Sequence, residues 1–323
     1  MFEYILEKIE NAELRSAPYR HLYIADLFSQ EHLDAILNAP EIRIPPQQSD
    51  DALFDALYAR GYKIVNFPGC TTEQKKYVDW HKSREPDDTM NSACEGFGIT
   101  LRLFEPGSGT IASLRDFIAS EPFNAALARK FDVRYEKTFR DNGIQKYLDG
   151  YEISPHPDNR NKALTFMVNV NPHADSESLD HHTHYMTLKP ERSYLTPFWE
   201  HNPDIDTCWV PWDWCETVEQ QIRNNSLVAF APSPETLHGV RARYDHLHGQ
   251  RTQLYGNLWY SDADELRRLD WEDLDLRDPT RRPVSRKSAK SRIAALLPQS
   301  LRRRIKRAMK RDTDTVVKVR LRK

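Results

Sequence analysis

The stretch that decides the fold of this 323-residue chain is YLDGYEISPHPDNR, residues 147–160. Tyr147, Gly150 and an apolar residue recur there at three-residue intervals and lead into His156 and Asp158, which one proline separates. In an extended segment, residues i and i+2 point to the same side, so this His and this Asp can converge on one atom. The pair predicts a metal site, although an H-x-D pattern is weak evidence by itself and also fits a structural turn or chance.

The same pattern occurs again at His173 and Asp175. The first pair follows a strand-like segment, whereas the second follows an Asn-Pro dipeptide, where a loop is expected. This context favours His156 and Asp158 as the ligands.

From about residue 144 the chain consists of short segments rich in Val, Ile, Thr, Tyr and Phe, with turn residues between them. Such segments predict strands. They are IQKYLDGYEISPH (144–156), ALTFMVNVN (163–171), HYMTLK (184–189), SLVAFAP (226–232) and RTQLYGNLWY (251–260). This series predicts an antiparallel sandwich or jelly roll with its helices upstream.

Four upstream segments have their own patterns. Residues 19–39 predict a short strand and then a helix with Ser29 as its N-cap. Residues 98–109 predict a strand that ends in a Pro-Gly turn, and residues 110–131 predict a helix or a helical hairpin broken near Pro122. The polar segment 71–96 predicts an irregular loop.

A third metal ligand has to come from elsewhere in the chain. His238 is the best candidate, because it comes just after a strongly apolar predicted strand. Two imidazoles and one carboxylate on one side of a metal, with the opposite positions open, form the arrangement of non-haem Fe(II) oxygenases.

Arg251 begins the last predicted strand. Alternation along that strand places it on one face with Gln253, Tyr255, Asn257 and Trp259. A guanidinium inside a barrel is costly without an anionic partner. A dicarboxylate cosubstrate that chelates iron and pairs with Arg251 would be such a partner, and so would an Asp or Glu of the chain itself.

Together these motifs resemble a known family. Tyr147, Gly150, His156 and Asp158, followed by ALTFMVNVN, LVAFAPSPETLHGV and GQRTQLYGNLWY, are similar to the core of the 2-oxoglutarate and Fe(II)-dependent dioxygenases, in particular the prolyl-4-hydroxylase-like branch. The resemblance covers about residues 143–260 of a dioxygenase domain that we place at 1–280. It implies a fold that is mainly β with N-terminal helices and a double-stranded β-helix core, a jelly roll of the cupin-like type.

By that resemblance, His156, Asp158 and His238 would ligate Fe(II), and Arg251 would bind the distal carboxylate of 2-oxoglutarate. Tyr147 would line the cosubstrate pocket. With O2 as the other cosubstrate, the reaction expected by default is hydroxylation.

The chain departs from the family in two places. Asn169 stands where the family often has a Tyr, so a hydrogen bond from Asn169 to the cosubstrate would differ in geometry. A long segment, 172–225, replaces the family's usual Trp and Gly-Gly stretch.

Residues 172–225 contain two clusters with alternative interpretations. His181, His182 and His184 could form a second metal site, but a solvated or substrate-facing loop is favoured because no Cys or carboxylate completes a familiar spacing. The aromatic cluster could form a lid or stacking platform, or simply pack the insertion. Its members are Tyr194, Phe198, Trp199, Trp209, Trp212 and Trp214.

The net charge of -2 hides an asymmetry. Residues 281–323 hold 17 Lys and Arg against two Asp, so we predict a basic amphipathic C-terminal tail after an acidic short helix at 262–280. The tail could bind an anionic membrane surface, or be a disordered solubilising segment. Nucleic acid is the less favoured partner, because alkylated-base repair would predict an Arg at position 257, which is Asn257.

Composition narrows the class of protein. No run of 18 apolar residues occurs, and the N-terminus lacks the basic and apolar regions of a signal peptide, so we expect a cytoplasmic enzyme, peripheral on the inner membrane face if the tail binds there. The four cysteines form no C-x-x-C pair, which favours reduced thiols. The substrate expected is a small molecule or an envelope glycan or lipid-linked precursor. The alternatives are a protein or peptide hydroxylase and a non-catalytic jelly-roll binding module.

Overall fold

A computed structural model describes residues 1–84, 96–202 and 205–261 of the chain. The acidic segment 262–280 and the basic tail 281–323 lie outside these residues, so what the sequence predicts for them stays a prediction.

Twelve strands form two antiparallel sheets in the described residues. The larger sheet has the order β1 (Leu14–Arg15), β2 (His21–Ile24), β10 (Leu227–Phe230), β7 (Lys162–Asn169), β12 (Arg251–Tyr260), β5 (Thr138–Tyr147), β4 (Thr100–Leu103) and β3 (Tyr62–Ile64). The smaller sheet has the order β6 (Glu152–His156), β11 (His238–Arg241), β8 (Thr183–Leu188) and β9 (Cys215–Gln220).

The pairing of the last eight strands defines the topology. Strand β5 pairs with β12, β6 with β11, β7 with β10 and β8 with β9. A chain whose first four strands pair in this way with its last four, across two facing sheets, is a jelly roll. The predicted double-stranded β-helix core with helices upstream is therefore confirmed.

Six of the seven α-helices in the described part of the chain precede β5. They are α1 (Tyr4–Asn11), α2 (Gln30–Leu37), α3 (Asp50–Tyr58), α4 (Gln74–Ser83), α5 (Gly109–Ile118) and α6 (Glu121–Lys130), and α7 (Leu195–Glu200) lies in the insertion. Within the described ranges, none of the helices has the length and apolar character needed to span a membrane.

Most of the upstream predictions are confirmed. The Ser29 side chain accepts a hydrogen bond from the His32 backbone N–H and so caps α2. The predicted helical hairpin is α5 and α6, with Pro122 in the first turn of α6, where its missing N–H costs nothing. The prediction of an irregular loop at 71–96 is wrong for residues 74–83, which form α4. Only Tyr77 and Val78 of this polar helix are buried, so its apolar pattern is too sparse to predict it.

Strand β12 has an apolar outer face and a largely polar inner face. Leu254 and Leu258 of β12 belong to the main hydrophobic core, together with helix residues such as Ile5, Leu114 and Phe123. The alternate residues of β12 face the interior of the barrel. Because the helical layer completes the core on the outside, the interior can hold polar side chains.

Gly150 explains part of the opening stretch. It lies in the turn between β5 and β6 with φ +77°, in the left-handed region that favours glycine. A Cβ at this position would come within 2.2 Å of the Trp80 ring on α4, so this turn needs a glycine for two reasons.

Candidate metal and cosubstrate site

The smaller sheet brings two of the predicted ligands together. His156 ends β6, and His238 begins β11 directly opposite it in the antiparallel pairing. Their ring centres are 4.3 Å apart. The sequence placed Asp158 in the same extended strand, but β6 stops at His156 and Asp158 has φ 76°. A left-handed turn, which Asp tolerates better than most residues, therefore turns this carboxylate towards the two rings.

The three side chains form a compact and buried cluster. His156 Nε2 lies 3.7 Å from Asp158 Oδ1, and His238 Nε2 lies 3.9 Å from Asp158 Oδ2. Their three potential ligand atoms all lie within 4.8 Å of one another.

Hydrogen bonds set the tautomer of both rings. Nδ1 of His156 is 2.8 Å from the Ser154 carbonyl oxygen, and Nδ1 of His238 is 2.9 Å from the Thr236 carbonyl oxygen. A carbonyl can only accept, so each Nδ1 carries a proton, and the Nε2 of a neutral ring then has its lone pair available to a metal ion. Burial, and then the neighbouring His156, lower the pKa of His238 to about 3, which keeps its ring neutral. These are the properties of histidines that bind a metal ion.

Asp158 is held as a carboxylate. Burial raises the pKa of Asp158, but the positive charge of Lys162 holds it well below its usual value. Lys162 Nζ donates to Oδ1 at 2.5 Å, and Thr165 Oγ1 donates to Oδ2 at 2.6 Å. The donor set of two imidazoles and one ionised carboxylate fits a divalent ion such as Fe(II).

A cavity of about 250 Å³ opens beside this cluster. The predicted inner face of β12 lines it in full, with Arg251, Gln253, Tyr255, Asn257 and Trp259. The barrel thus encloses the candidate metal cluster and Arg251 in one space.

Arg251 is 2% exposed. Its guanidinium donates to Thr183 Oγ1 at 3.0 Å and lies 4.6 Å from the centre of the Tyr147 ring. No carboxylate in the described ranges forms an ion pair with it. The alternative that an Asp or Glu of the chain pairs with Arg251 is therefore not observed among these residues. A buried guanidinium that faces a cavity in this way is suited to bind an anion.

The other two predicted cosubstrate residues differ in their positions. Tyr147 lines the cavity, and its hydroxyl lies 2.5 Å from the Gln145 side-chain amide. Asn169 is not among the residues that line the cavity. Its amide donates to the Gln221 carbonyl oxygen at 2.8 Å and accepts from Gln253 Nε2 at 2.7 Å. Asn169 therefore contacts the cavity only indirectly, by holding the side chain of Gln253, which lines it.

The insertion contributes one aromatic wall. Trp209 lines the cavity, with its ring centre 4.8 Å from that of His156. Trp199, Trp212 and Trp214 instead pack against the arginines Arg160, Arg241 and Arg192. Tyr194 and Phe198 are each 53% exposed. Ordinary packing therefore explains three members of this aromatic cluster, and Trp209 is the member that lines the cavity.

The histidines of the insertion are not a solvated loop. His181 and His182 are 1% and 5% exposed, and His184 lies in β8. The expectation of a solvated loop is wrong because the segment folds back over Tyr244, whose ring centre lies 4.8 Å from that of His181.

A second His and Asp cluster was not predicted from the sequence. Asp50 accepts from His81 Nδ1 at 2.8 Å and lies 2.9 Å from His246 Nε2. The other nitrogen of His81 lies 3.6 Å from Asp149. These residues are far apart in the sequence and carry no local motif, so only the fold identifies them.

Comparisons with known proteins find only distant structural likenesses. No protein-family model matches the chain, and no curated protein matches its sequence. Solved structures that it resembles include a Pseudomonas putida prolyl-4-hydroxylase, at 11% identity and a TM-score of 0.40, over 80% of this chain and 99% of that chain. Another is the non-haem alpha-ketoglutarate-dependent epimerase SnoN from nogalamycin biosynthesis, at 12% identity and a TM-score of 0.35, over 87% and 92% of the two chains. A third is HygX from Streptomyces hygroscopicus with nickel and 2-oxoglutarate bound, at 8% identity and a TM-score of 0.33, over 75% and 83%.

These structures belong to the prolyl-4-hydroxylase and 2-oxoglutarate and Fe(II)-dependent oxygenase families, which the sequence motifs resemble. At such identities and TM-scores the likenesses carry no argument about the reaction. The fold assignment rests on the strand pairing described above.

Proposed function

We propose that this protein is a 2-oxoglutarate- and Fe(II)-dependent oxygenase that hydroxylates a small molecule or an envelope glycan or lipid-linked precursor. One observation carries the proposal. A buried triad of two histidines and a carboxylate shares a cavity with Arg251, a buried guanidinium without a carboxylate partner in the described ranges.

Each residue has a distinct part in this proposal. His156 and His238 would hold Fe(II) through their Nε2 atoms, and Asp158 would hold it through its carboxylate. When bound, Fe(II) and 2-oxoglutarate supply the activation of O2 and the oxidation of the substrate.

Arg251 would pair with the distal carboxylate of the cosubstrate. Thr183 keeps its guanidinium in place, and the Tyr147 ring packs against it and lines the pocket. Because Arg251 is almost fully buried, this pairing would be formed away from bulk water, where a charged hydrogen bond is strong. Asn169 would act through Gln253, by fixing its amide.

The size of the cavity supports a small substrate. About 250 Å³ is near the lower end of small-ligand pockets, and Trp209 of the insertion closes part of its wall. A protein or peptide substrate would need a more open groove.

Anaerobic addition of Fe(II) and 2-oxoglutarate tests the proposal. We expect a metal-to-ligand absorption band in the visible region, which His156→Ala and Asp158→Ala abolish. His173→Ala is the matched control, because His173 begins the second H-x-D sequence and does not line the cavity. The proposal is wrong if folded wild-type protein shows no band, or if the His173 variant loses it as completely as the His156 variant.

A further inference from the structure

Lys162 is a charged residue of the cavity that the sequence did not single out. Its ammonium lies 2.5 Å from Asp158 Oδ1 and 3.3 Å from the Tyr255 hydroxyl. It also lies 5.9 Å and 5.5 Å from the ring centres of Tyr255 and Trp259. The side chain is 10% exposed and lines the cavity.

Lys162 and Arg251 approach the triad from opposite ends of the barrel. In the β7–β12 pairing Lys162 is opposite Trp259, whereas Arg251 is opposite Tyr147 on β5. Trp259 and Arg251 are eight residues apart on one strand, or about 26 Å at the usual rise of a strand. The distal carboxylate of a cosubstrate anchored on Arg251 would therefore lie on the side away from Lys162.

The formal charges of the cavity indicate what Lys162 could bind. Asp141, Asp158, Lys162 and Arg251 are its charged lining residues, apart from the histidines, and Asp141 pairs with Arg102 at 2.6 Å. A divalent ion and Asp158 together have a net charge of +1, and Arg251 and Lys162 raise the net charge of the cavity to +3. The dianion 2-oxoglutarate cancels two of them. The cavity would keep a net charge of one, and an uncompensated net charge in a buried site is costly.

We propose that the substrate carries one negatively charged group, a carboxylate or a phosphate ester, and that Lys162 binds it beside the rings of Tyr255 and Trp259. This inference rests on the proposed function. The aromatic rings suit the apolar or ring-shaped body to which such a group is attached. Lys162 would then be a residue that selects the substrate rather than a ligand of the metal.

Calorimetric titration of simple probes tests this. The protein is loaded with Ni(II), which does not support turnover, and saturated with 2-oxoglutarate so that Arg251 is occupied. It is then titrated with benzoate, phenyl phosphate and the neutral analogue benzamide. We expect at least one anion to bind about tenfold or more tightly than benzamide, since a hydrogen bond to a charged group has about that effect. The tighter anion identifies a carboxylate or a phosphate ester as the preferred group.

Three variants complete the experiment. Lys162→Met should weaken binding of the anion about tenfold or more, whereas Lys162→Arg, which keeps the charge, should preserve most of it. Lys63→Met is the matched control, because Lys63 is 62% exposed and pairs with Glu105 at the surface. The inference is overturned if benzamide binds as well as the anions, if no probe binds, or if Lys162→Met and Lys63→Met behave alike.

The first step of the same titration separates the two proposals. If Ni(II) and 2-oxoglutarate do not bind, the proposed function fails, and the inference on Lys162 fails with it. If both bind and the anions do not, only the inference on Lys162 fails.

Discussion

Replacement of Arg251 by Met should have opposite effects on stability and on cosubstrate binding. The change removes a hydrogen bond to Thr183 and the contact with the Tyr147 ring. Those two interactions contribute about 1.5–3 and about 2 kcal/mol when they are buried. The change also removes a guanidinium that is 2% exposed, and the desolvation penalty of such a buried ion is several kcal/mol. In the absence of 2-oxoglutarate we therefore expect unchanged stability or a gain of up to about 2 kcal/mol.

Cosubstrate binding should respond in the other direction. Removal of one partner from a buried charge pair costs about 2–5 kcal/mol, or roughly 30-fold to several thousand-fold in affinity. Wild-type protein with 2-oxoglutarate at about 100 times its dissociation constant should gain about 2.7 kcal/mol of stability. The variant should gain less than about 1 kcal/mol at the same concentration.

Urea unfolding of the Ni(II)-loaded protein, with and without 2-oxoglutarate, measures both effects in one experiment. Arg20→Met is the control, because Arg20 is 56% exposed and forms its ion pair with the exposed Asp132. Our reasoning is refuted if Arg251→Met loses more than about 2 kcal/mol without 2-oxoglutarate and keeps the stabilisation by 2-oxoglutarate. Arg251 would then be a structural residue.

Four further predictions concern other parts of the chain. Thr165→Val removes the hydroxyl that donates to Asp158, so Ni(II) affinity measured by equilibrium dialysis should fall about 10- to 100-fold; unchanged affinity would show that this hydroxyl does not orient the ligand. Gly150→Ala places a Cβ against Trp80 at a backbone φ of +77° and should lower the free energy of unfolding by about 2–4 kcal/mol. Urea unfolding measures this loss, and a loss below about 1 kcal/mol would contradict the geometry. Burial lowers the pKa of His81, but Asp149 and Asp50 raise it overall to about 9, so the stability from the protonated ring is complete below about pH 6.5 and is lost as the pH rises through 9. Thermal unfolding across this range should show that decline, and His81→Gln should flatten it; a parallel decline in the variant would assign it to other groups. The full-length protein should float with anionic liposomes and not with neutral ones, and deletion of residues 281–323 should abolish the flotation. Equal flotation of the full-length and the truncated protein would contradict membrane binding by the tail.

The sequence predicts β7, β8, β10 and β12 because each has a dense pattern of β-branched and aromatic residues. It merges β5 and β6 into one segment, 144–156, which the turn at Gly150 divides between the two sheets. It predicts His156, His238 and Arg251 because the first two adjoin predicted strands and the third begins one. Strand β11 has only four residues, and β9, CETVEQ, is mostly polar on a partly exposed sheet, so neither has a pattern that a search for apolar alternation can find.

The surroundings of Asp158 could not be predicted in the same way. Lys162 and Thr165 are only four and seven residues from Asp158, but their contacts depend on a left-handed turn at Asp158 itself. Such a turn is decided by the packing around it rather than by the residue type alone. The H-x-D pattern therefore locates the ligand, and only the fold shows which groups hold it.

The N-terminal helices have a more specific role than covering the outer sheet. Asp50 at the start of α3 bonds to His81 of α4, and His81 in turn lies 3.6 Å from Asp149, in the turn after β5. Asp149 accepts a hydrogen bond from the Tyr244 backbone N–H at 3.0 Å.

The Tyr244 hydroxyl then continues this chain of contacts to the cavity. It accepts a hydrogen bond from the Arg251 backbone N–H at 2.9 Å and donates to the Tyr147 carbonyl oxygen. Two residues of the proposed cosubstrate pocket are thus fixed to a tyrosine whose own position depends on the helices. A barrel expressed without residues 1–84 would lose Asp50 and His81 from this series of contacts. We therefore infer that the helical layer is needed to position Arg251 as well as to complete the hydrophobic core.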